Sequence, residues 1–187
     1  MQIIRFYRSG NAFGFLSNFS AHPVELAGAS WPTSEHYYQA MKFPDHPDVM
    51  EAIRTAKSPG ATKRLANRVH RPLRTARWHD VVGAHEVLLV RGRRPVRRST
   101  PRLYKDDVML RVLRAKFGPT PERRALLLET GDAILVEHSH ADAYWGDGGD
   151  GSGLNKLGTI LMEVRAELIG YQVPAKPTAT PCSVGRT

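Results

Sequence analysis

At 187 residues, with 41% apolar and 24% charged residues, the chain fits one ordinary domain with its own core, and a formal net charge of +9 raises the question of a polyanionic partner. Its single cysteine, Cys182, excludes an intrachain disulfide and a thiolate zinc cluster and suits a reducing cytoplasm. The N-terminal stretch MQIIRFYRSGNAFGF lacks a basic segment leading into a long apolar run, and no stretch of roughly 18 apolar residues occurs, so neither secretion nor membrane spanning is expected.

Ile3 to Tyr7 and Val24 to Leu26 are short apolar runs separated by Gly- and Asn-containing turns, which predicts a small sheet near the N-terminus. Pro32, Thr33 and Ser34 supply helix-start chemistry, and the following residues hold no Gly or Pro, so a helix begins near Ser34. At about 100° per residue, Glu35, Gln39 and Lys42 fall on one stripe with Tyr37, Tyr38 and Met41 at its sides. Val49, Ile53 and Ala56 carry helical spacing into a segment that Ser58, Pro59 and Gly60 terminate, and Ala61 to Val69 reads as a short basic helix. Val81 to Val90 is apolar enough for a helix or a strand, and periodicity does not decide between them.

From Asp106, the spacing of Met109, Val112, Leu113 and Phe117 predicts a helix with Asp106 and Asp107 at its electropositive end. Thr120, Pro121 and Glu122 open another that Gly131 closes, and Ile134 to Glu137 reads as a strand. A last helix runs from about Asn155 to Ile169 with Leu157, Ile160, Leu161, Val164 and Leu168 inward and Gly170 as its stop. Beyond Tyr171, residues 171 to 187 are too poor in apolar side chains to fold and are expected to be a disordered tail.

Two strings are long and of unusual composition: WPTSEHYYQAMKF (Trp31 to Phe43) and AYWGDGGDGSGLNKLG (Ala143 to Gly158). With LSNF at Leu16 to Phe19, SPG at Ser58 to Gly60, RPLR at Arg71 to Arg74 followed by Trp78, and LRAKF at Leu113 to Phe117, they resemble the NADAR (YbiA-like) family over most of residues 3 to 169, in the family's order. The resemblance implies a predominantly helical α+β single domain, here residues 1 to 170, that hydrolyses N-glycosidic bonds. Substrates in the family are ribosylamine intermediates of riboflavin synthesis in some members and ADP-ribose attached to guanine in others. Against that pattern about twenty residues, 84 to 105, read as an insertion on the surface as a loop. Seven Arg and Lys there face a single Glu86, so two thirds of the excess charge is local. Arg91 to Lys105 is either a basic arm for nucleic acid phosphates or a solvated loop.

Breaking a C–N bond at an anomeric carbon builds positive charge on the sugar and negative charge on the departing base, which calls for a carboxylate near the sugar, an acid near the leaving group and a placed water. Glu35 and Asp147 are the candidate carboxylates, with the division of roles open, and Asp147 could instead only fix its turn. Lys42 either captures the imine of an opened ribosylamine as a Schiff base or serves as an ion-pair partner. Trp78 and Trp145 offer indole faces for stacking. Gly146, Gly148 and Gly149 could bring backbone amides to a phosphate, although the loop fits neither the P-loop, the dinucleotide nor the EF-hand spacing. Gln39 and Asn18 are placed as polar contacts to the substrate, Asn18 alternatively as a turn residue and Asn155 as a contact or a helix cap. His138 and His140 have no evident third ligand, so no metal is expected, and no cofactor is needed for this chemistry. GxSxG is absent, so a serine triad has no support.

Overall fold

The computed structural model describes residues 2–91 and 94–170, with residues 69, 85–91 and 94–97 described by their backbone alone. Strand β1, Ile3–Phe6, buries Ile4 and Phe6 on one face. Its partner is not the neighbouring apolar run but β6, Ile134–Glu137, paired parallel with Ile3 beside Ile134 and Phe6 beside Glu137. The expected N-terminal sheet is therefore two separate pairs. Strand β2, Val24–Leu26, turns back on β3, Ala29–Trp31, through Ala27 and Gly28 at φ 55° and 75°. Two successive positive φ values make the tight turn that matches strand twist, and Ala-Gly is a weak signal for it.

Helix α1, Ser34–Ala40, starts where its cap predicts, with the Thr33 hydroxyl accepting the His36 amide. Each of its residues is buried, so it is a core helix and not a solvated face. Helix α2, Pro47–Arg54, buries Val49 and Ile53. The SPG string opens the next helix as well as closing this one, because the Ser58 hydroxyl accepts the Ala61 amide at the head of α3, Pro59–Arg64. The chain then passes through a π-helical turn at Leu65–Val69 and short turns carrying Trp78. Helices α4, Tyr104–Phe117, α5, Pro121–Leu128, and α6, Lys156–Gly170, complete the domain. Their apolar faces join Leu16, Tyr37, Phe43 and Leu135 in one core.

The basic segment is not a loop. Strands β4, Val81–Arg91, and β5, Arg94–Leu103, form an antiparallel ribbon that settles the helix-or-strand ambiguity. Pairing satisfies the inward-facing backbone groups of both arms, which an irregular loop would leave to water. The ribbon leaves and rejoins the domain at one place, since the Tyr104 amide donates to the Asp80 carbonyl at 2.9 Å. The tail and Cys182 lie outside the described residues. No helix among the described residues is long and apolar enough to cross a membrane.

Candidate active site

Helix α1 builds one wall of an inner cavity of about 220 Å³. Glu35, Gln39 and Lys42 line it together, as their spacing predicts, joined by Asn18, Tyr38 and Trp145. All three stripe residues are nearly closed to solvent at 6%, 2% and 5% exposure. Gln39 donates to Glu35 Oε1 at 2.7 Å, and Lys42 Nζ donates to Asn67 Oδ1 at 2.9 Å. Burial raises the Glu35 carboxyl, opposed by the Gln39 bond and the charges of Lys63 and Lys42. Burial likewise lowers Lys42 to about 8, with Glu35 opposing and the cations Arg74, Lys63 and Lys105 adding to it. The Lys42 ammonium lies 5.7 Å from the ring centres of both Tyr38 and Trp78.

The facing wall holds residues that the sequence reading did not single out. Glu137, at the end of β6, and Asp142, in the loop that follows, both line the inner cavity and an adjoining outer cleft of about 620 Å³, as do Lys63 and Phe19. Burial pushes Glu137 up to about 8, reinforced by Asp142 and Glu35. Three buried polar atoms around the cavity lack a hydrogen-bond partner among the described residues: Asn18 Oδ1, Gln39 Oε1 and Glu137 Oε2. An orphaned buried polar atom is costly. All three belong to residues that line the inner cavity. The only sequence signal for Glu137 was an acid ending a strand of otherwise apolar residues.

Asp147 is not among the residues lining either cavity. Its Oδ1 accepts the amides of Ser139 at 3.3 Å and Gly149 at 2.9 Å, and its Oδ2 lies 2.9 Å from His138 Nδ1. It fixes the turn, because both oxygens are already committed. The glycine loop is no phosphate cradle for the same reason: the amides of Gly148, Gly149, Gly151 and Gly153 point at Asp142 and Asp147 oxygens. Gly146 instead permits close packing, since a methyl group there would meet the carbonyls of Asp142 and Glu137 at 2.8 Å. A methyl group on Gly149 would run into the His140 ring, and Gly148 stands at φ 73°. Asn155 lines neither cavity. Its amide donates to the Leu135 carbonyl at 2.8 Å and its oxygen accepts the Glu137 amide at 3.0 Å. With the Asp147 amide donating to the Glu137 carbonyl at 2.9 Å, the motif residues Gly146, Asp147 and Asn155 hold Glu137 in place from both sides.

Trp145 lines the inner cavity, with its ring 5.4 Å from and perpendicular to that of Tyr38. Trp78 does not. It is 2% exposed and backs Tyr38 at 5.0 Å, so it shapes the wall from behind instead of stacking on a ligand. His138 and His140 pack edge to face at 5.1 Å, and among the described residues no group of three His, Cys, Asp or Glu could hold a metal ion.

What the arrangement can do is acid–base chemistry on a polar substrate: two carboxyls biased toward their protonated forms, a lysine biased toward its neutral amine, and an indole wall. Known proteins of similar sequence agree with that. The chain is 43% identical over 166 residues to N-glycosidase YbiA of Escherichia coli (strain K12), covering 89% of this chain and 88% of that one. It is 37% identical over 183 residues to the chloroplastic riboflavin biosynthesis protein PYRR of Zea mays, covering 92% of this chain but 26% of that longer protein. The NMR structure of the E. coli protein YbiA superimposes with a TM-score of 0.66 at 40% identity, covering 90% of this chain and 87% of that one. The NADAR domain family matches residues 5–169, which contain every residue of both walls, and the chain belongs to that family.

Proposed function

We propose that this chain is an N-glycosidase, a hydrolase that cleaves the N-glycosidic bond of a phosphorylated ribosyl substrate, with a ribosylaminopyrimidine phosphate of riboflavin synthesis as its leading substrate. The observation that carries the reading is the meeting of Glu35, Lys42 and Glu137 around one cavity lined also by the polar side chains of Asn18 and Gln39. The names of the relatives support it independently. A single cysteine supports a reducing, cytoplasmic setting.

Glu137 is the carboxyl that keeps its proton at neutral pH, so it is assigned to protonate the departing nitrogen. Glu35, tethered by Gln39, is assigned to the sugar, stabilising positive charge at the anomeric carbon or activating water there. Lys63 is the exposed cation available to the substrate phosphate. Lys42 has two assignments. In the first, the ring opens to an imine, the neutral Lys42 amine adds to the anomeric carbon, the bond to the base nitrogen breaks as that nitrogen takes a proton, and water hydrolyses the resulting lysine imine. In the second, Lys42 stays charged and balances Glu35. The deciding experiment for the function is to incubate the protein separately with the ribosylaminopyrimidine phosphate and with ADP-ribosylated guanine and to look for released base by chromatography and mass spectrometry. Release from neither would sink the hydrolase reading and leave a binding module for ADP-ribose or nucleic acid.

A second reading, removal of ADP-ribose from guanine, is favoured by the size of the outer cleft. The inner cavity alone is smaller than the roughly 300–1,000 Å³ of typical ligand sites, and the cleft continuing from it adds about 620 Å³ flanked by the exposed rings of Tyr7 and Phe19. If the guanine lies in DNA or RNA, the basic ribbon inserted between Asp80 and Tyr104 is the natural contact for its phosphates.

A further inference from the structure

We propose that Lys116 is a positioning residue for this site: its buried amine fixes the Ser17–Ser20 turn and thereby sets where Asn18 lines the inner cavity. The inference rests on the reading of that cavity as the substrate site. Lys116 is wholly buried near the end of α4, in the LRAKF string. Its Nζ donates to the Ser17 carbonyl at 2.9 Å and to Ser20 Oγ at 2.8 Å, and Ser20 Oγ in turn donates to the Ser17 carbonyl at 2.8 Å. Asn18 lies inside that turn. Its side-chain amide donates to Met109 Sδ at 3.3 Å, about two helical turns earlier on the same α4, and its carbonyl accepts the Glu35 amide at 3.1 Å. One helix therefore grips the turn at two points, and the turn is tied directly to the start of α1.

A lysine is a costly way to fill a core. No carboxylate lies within salt-bridge distance of Lys116 among the described residues, and the charged or titratable neighbours are Arg123 on α5 and His22 just past the turn. Arg123 donates to the Pro23 carbonyl at 2.6 Å and faces the Lys116 carbonyl at 3.5 Å, so it adds positive charge. Burial, with Arg123, lowers Lys116 to about 7. A neutral amine has two N–H bonds, and two acceptors stand in reach, so the turn can be held without a buried charge. An apolar side chain of this length would fill the same space. Retaining an amine there has its purpose in the two bonds to the turn.

The test is a double-mutant cycle. Lys116→Met keeps the stem and removes both donors, and Asn18→Ala removes the side-chain amide that lines the cavity. With the ribosylaminopyrimidine phosphate, Lys116→Met is expected to raise KM about tenfold, the scale of one hydrogen bond to substrate, with kcat changed less than about threefold. The double variant should be no worse than Asn18→Ala alone, a pattern that general loosening of the core would not give. Multiplying effects, or an unchanged KM, would overturn the proposal. Should Lys116→Met fail to fold, Ser20→Ala removes one acceptor of the same amine and is held to the same non-additivity. Should the wild type turn over neither substrate, the functional reading fails separately, and calorimetric binding of D-ribose 5-phosphate to the same variants decides the positioning role by the same criterion.

Discussion

Glu137→Gln preserves size while removing an ionisable carboxyl, and it is expected to make the protein more stable and nearly inactive. Glu137 is held at about 8 by burial and by the charges of Asp142 and Glu35, against an ordinary value of 4.5. Between those values the folded chain keeps a proton that the unfolded chain has released. The stability contributed by this group is therefore complete below about pH 4.5 and lost progressively as pH rises to about 8. A proton affinity raised by between three and four powers of ten corresponds to about 5 kcal/mol lost above pH 8 and about 3 kcal/mol at pH 7. Glutamine carries no such penalty. At 1 kcal/mol per 2–4 °C for a chain of this size, the variant should melt on the order of 6–12 °C higher at pH 7. Turnover should fall at least about a hundredfold, as for loss of a general acid, and wild-type turnover should decline as pH rises through about 8. Thermal unfolding followed by circular dichroism at pH 5, 7 and 9, beside steady-state turnover, reads both. A melting difference that does not widen from pH 5 to pH 9 would refute a protonated Glu137, and near-normal turnover in a folded variant would remove it as the acid.

Glu35→Gln should lower turnover at least about a hundredfold with the circular dichroism spectrum unchanged, and a folded variant with normal turnover would take Glu35 out of the mechanism. Borohydride added during turnover should trap a sugar adduct on the peptide containing Lys42, absent in Lys42→Arg. No adduct in a working enzyme would leave Lys42 the electrostatic assignment. Asp147→Asn should cost about 1–3 kcal/mol of stability through loosened loop amides while activity per folded molecule stays within a few-fold; a selective loss of turnover would return it to the chemistry. Replacing Arg94, Arg97 and Arg98 with Ser should flatten the salt dependence of DNA or RNA binding by roughly 0.7 to 0.9 for each phosphate that is no longer neutralised. Turnover of a free ribosylamine should not change, because no described ribbon residue lines either cavity.

Half of the site was legible because it is local. The Thr33 cap and helical geometry set Glu35, Gln39 and Lys42 on one stripe, with Tyr37 and Tyr38 at its sides. The other half was not, because it depends on pairing that no local pattern contains. Glu137 reads in sequence as the end of a strand, and it becomes a half-buried acid with one carboxyl oxygen closed off only when β6 joins β1 and the following loop folds back over it. The Gly146 to Asn155 string advertised an unusual backbone without saying which side faced a ligand. Gly146 and Asn155 are demanded by close approach to β6, where a methyl group or a missing amide would shift the strand end.

The same logic explains why the sequence points to Asp147 before Glu137. An acid among glycines beside a tryptophan resembles a catalytic group, yet a turn shut off from water needs a side chain to satisfy its amides, and Asp147, 5% exposed, does that with both oxygens. Glu137 Oε2 has no hydrogen-bond partner among the described residues. Of one carboxylate inside a motif and one just before it, the one left with unsatisfied bonding capacity beside a cavity is the better candidate to exchange a proton with a ligand, and the one whose bonds are complete is the one that holds the loop in shape.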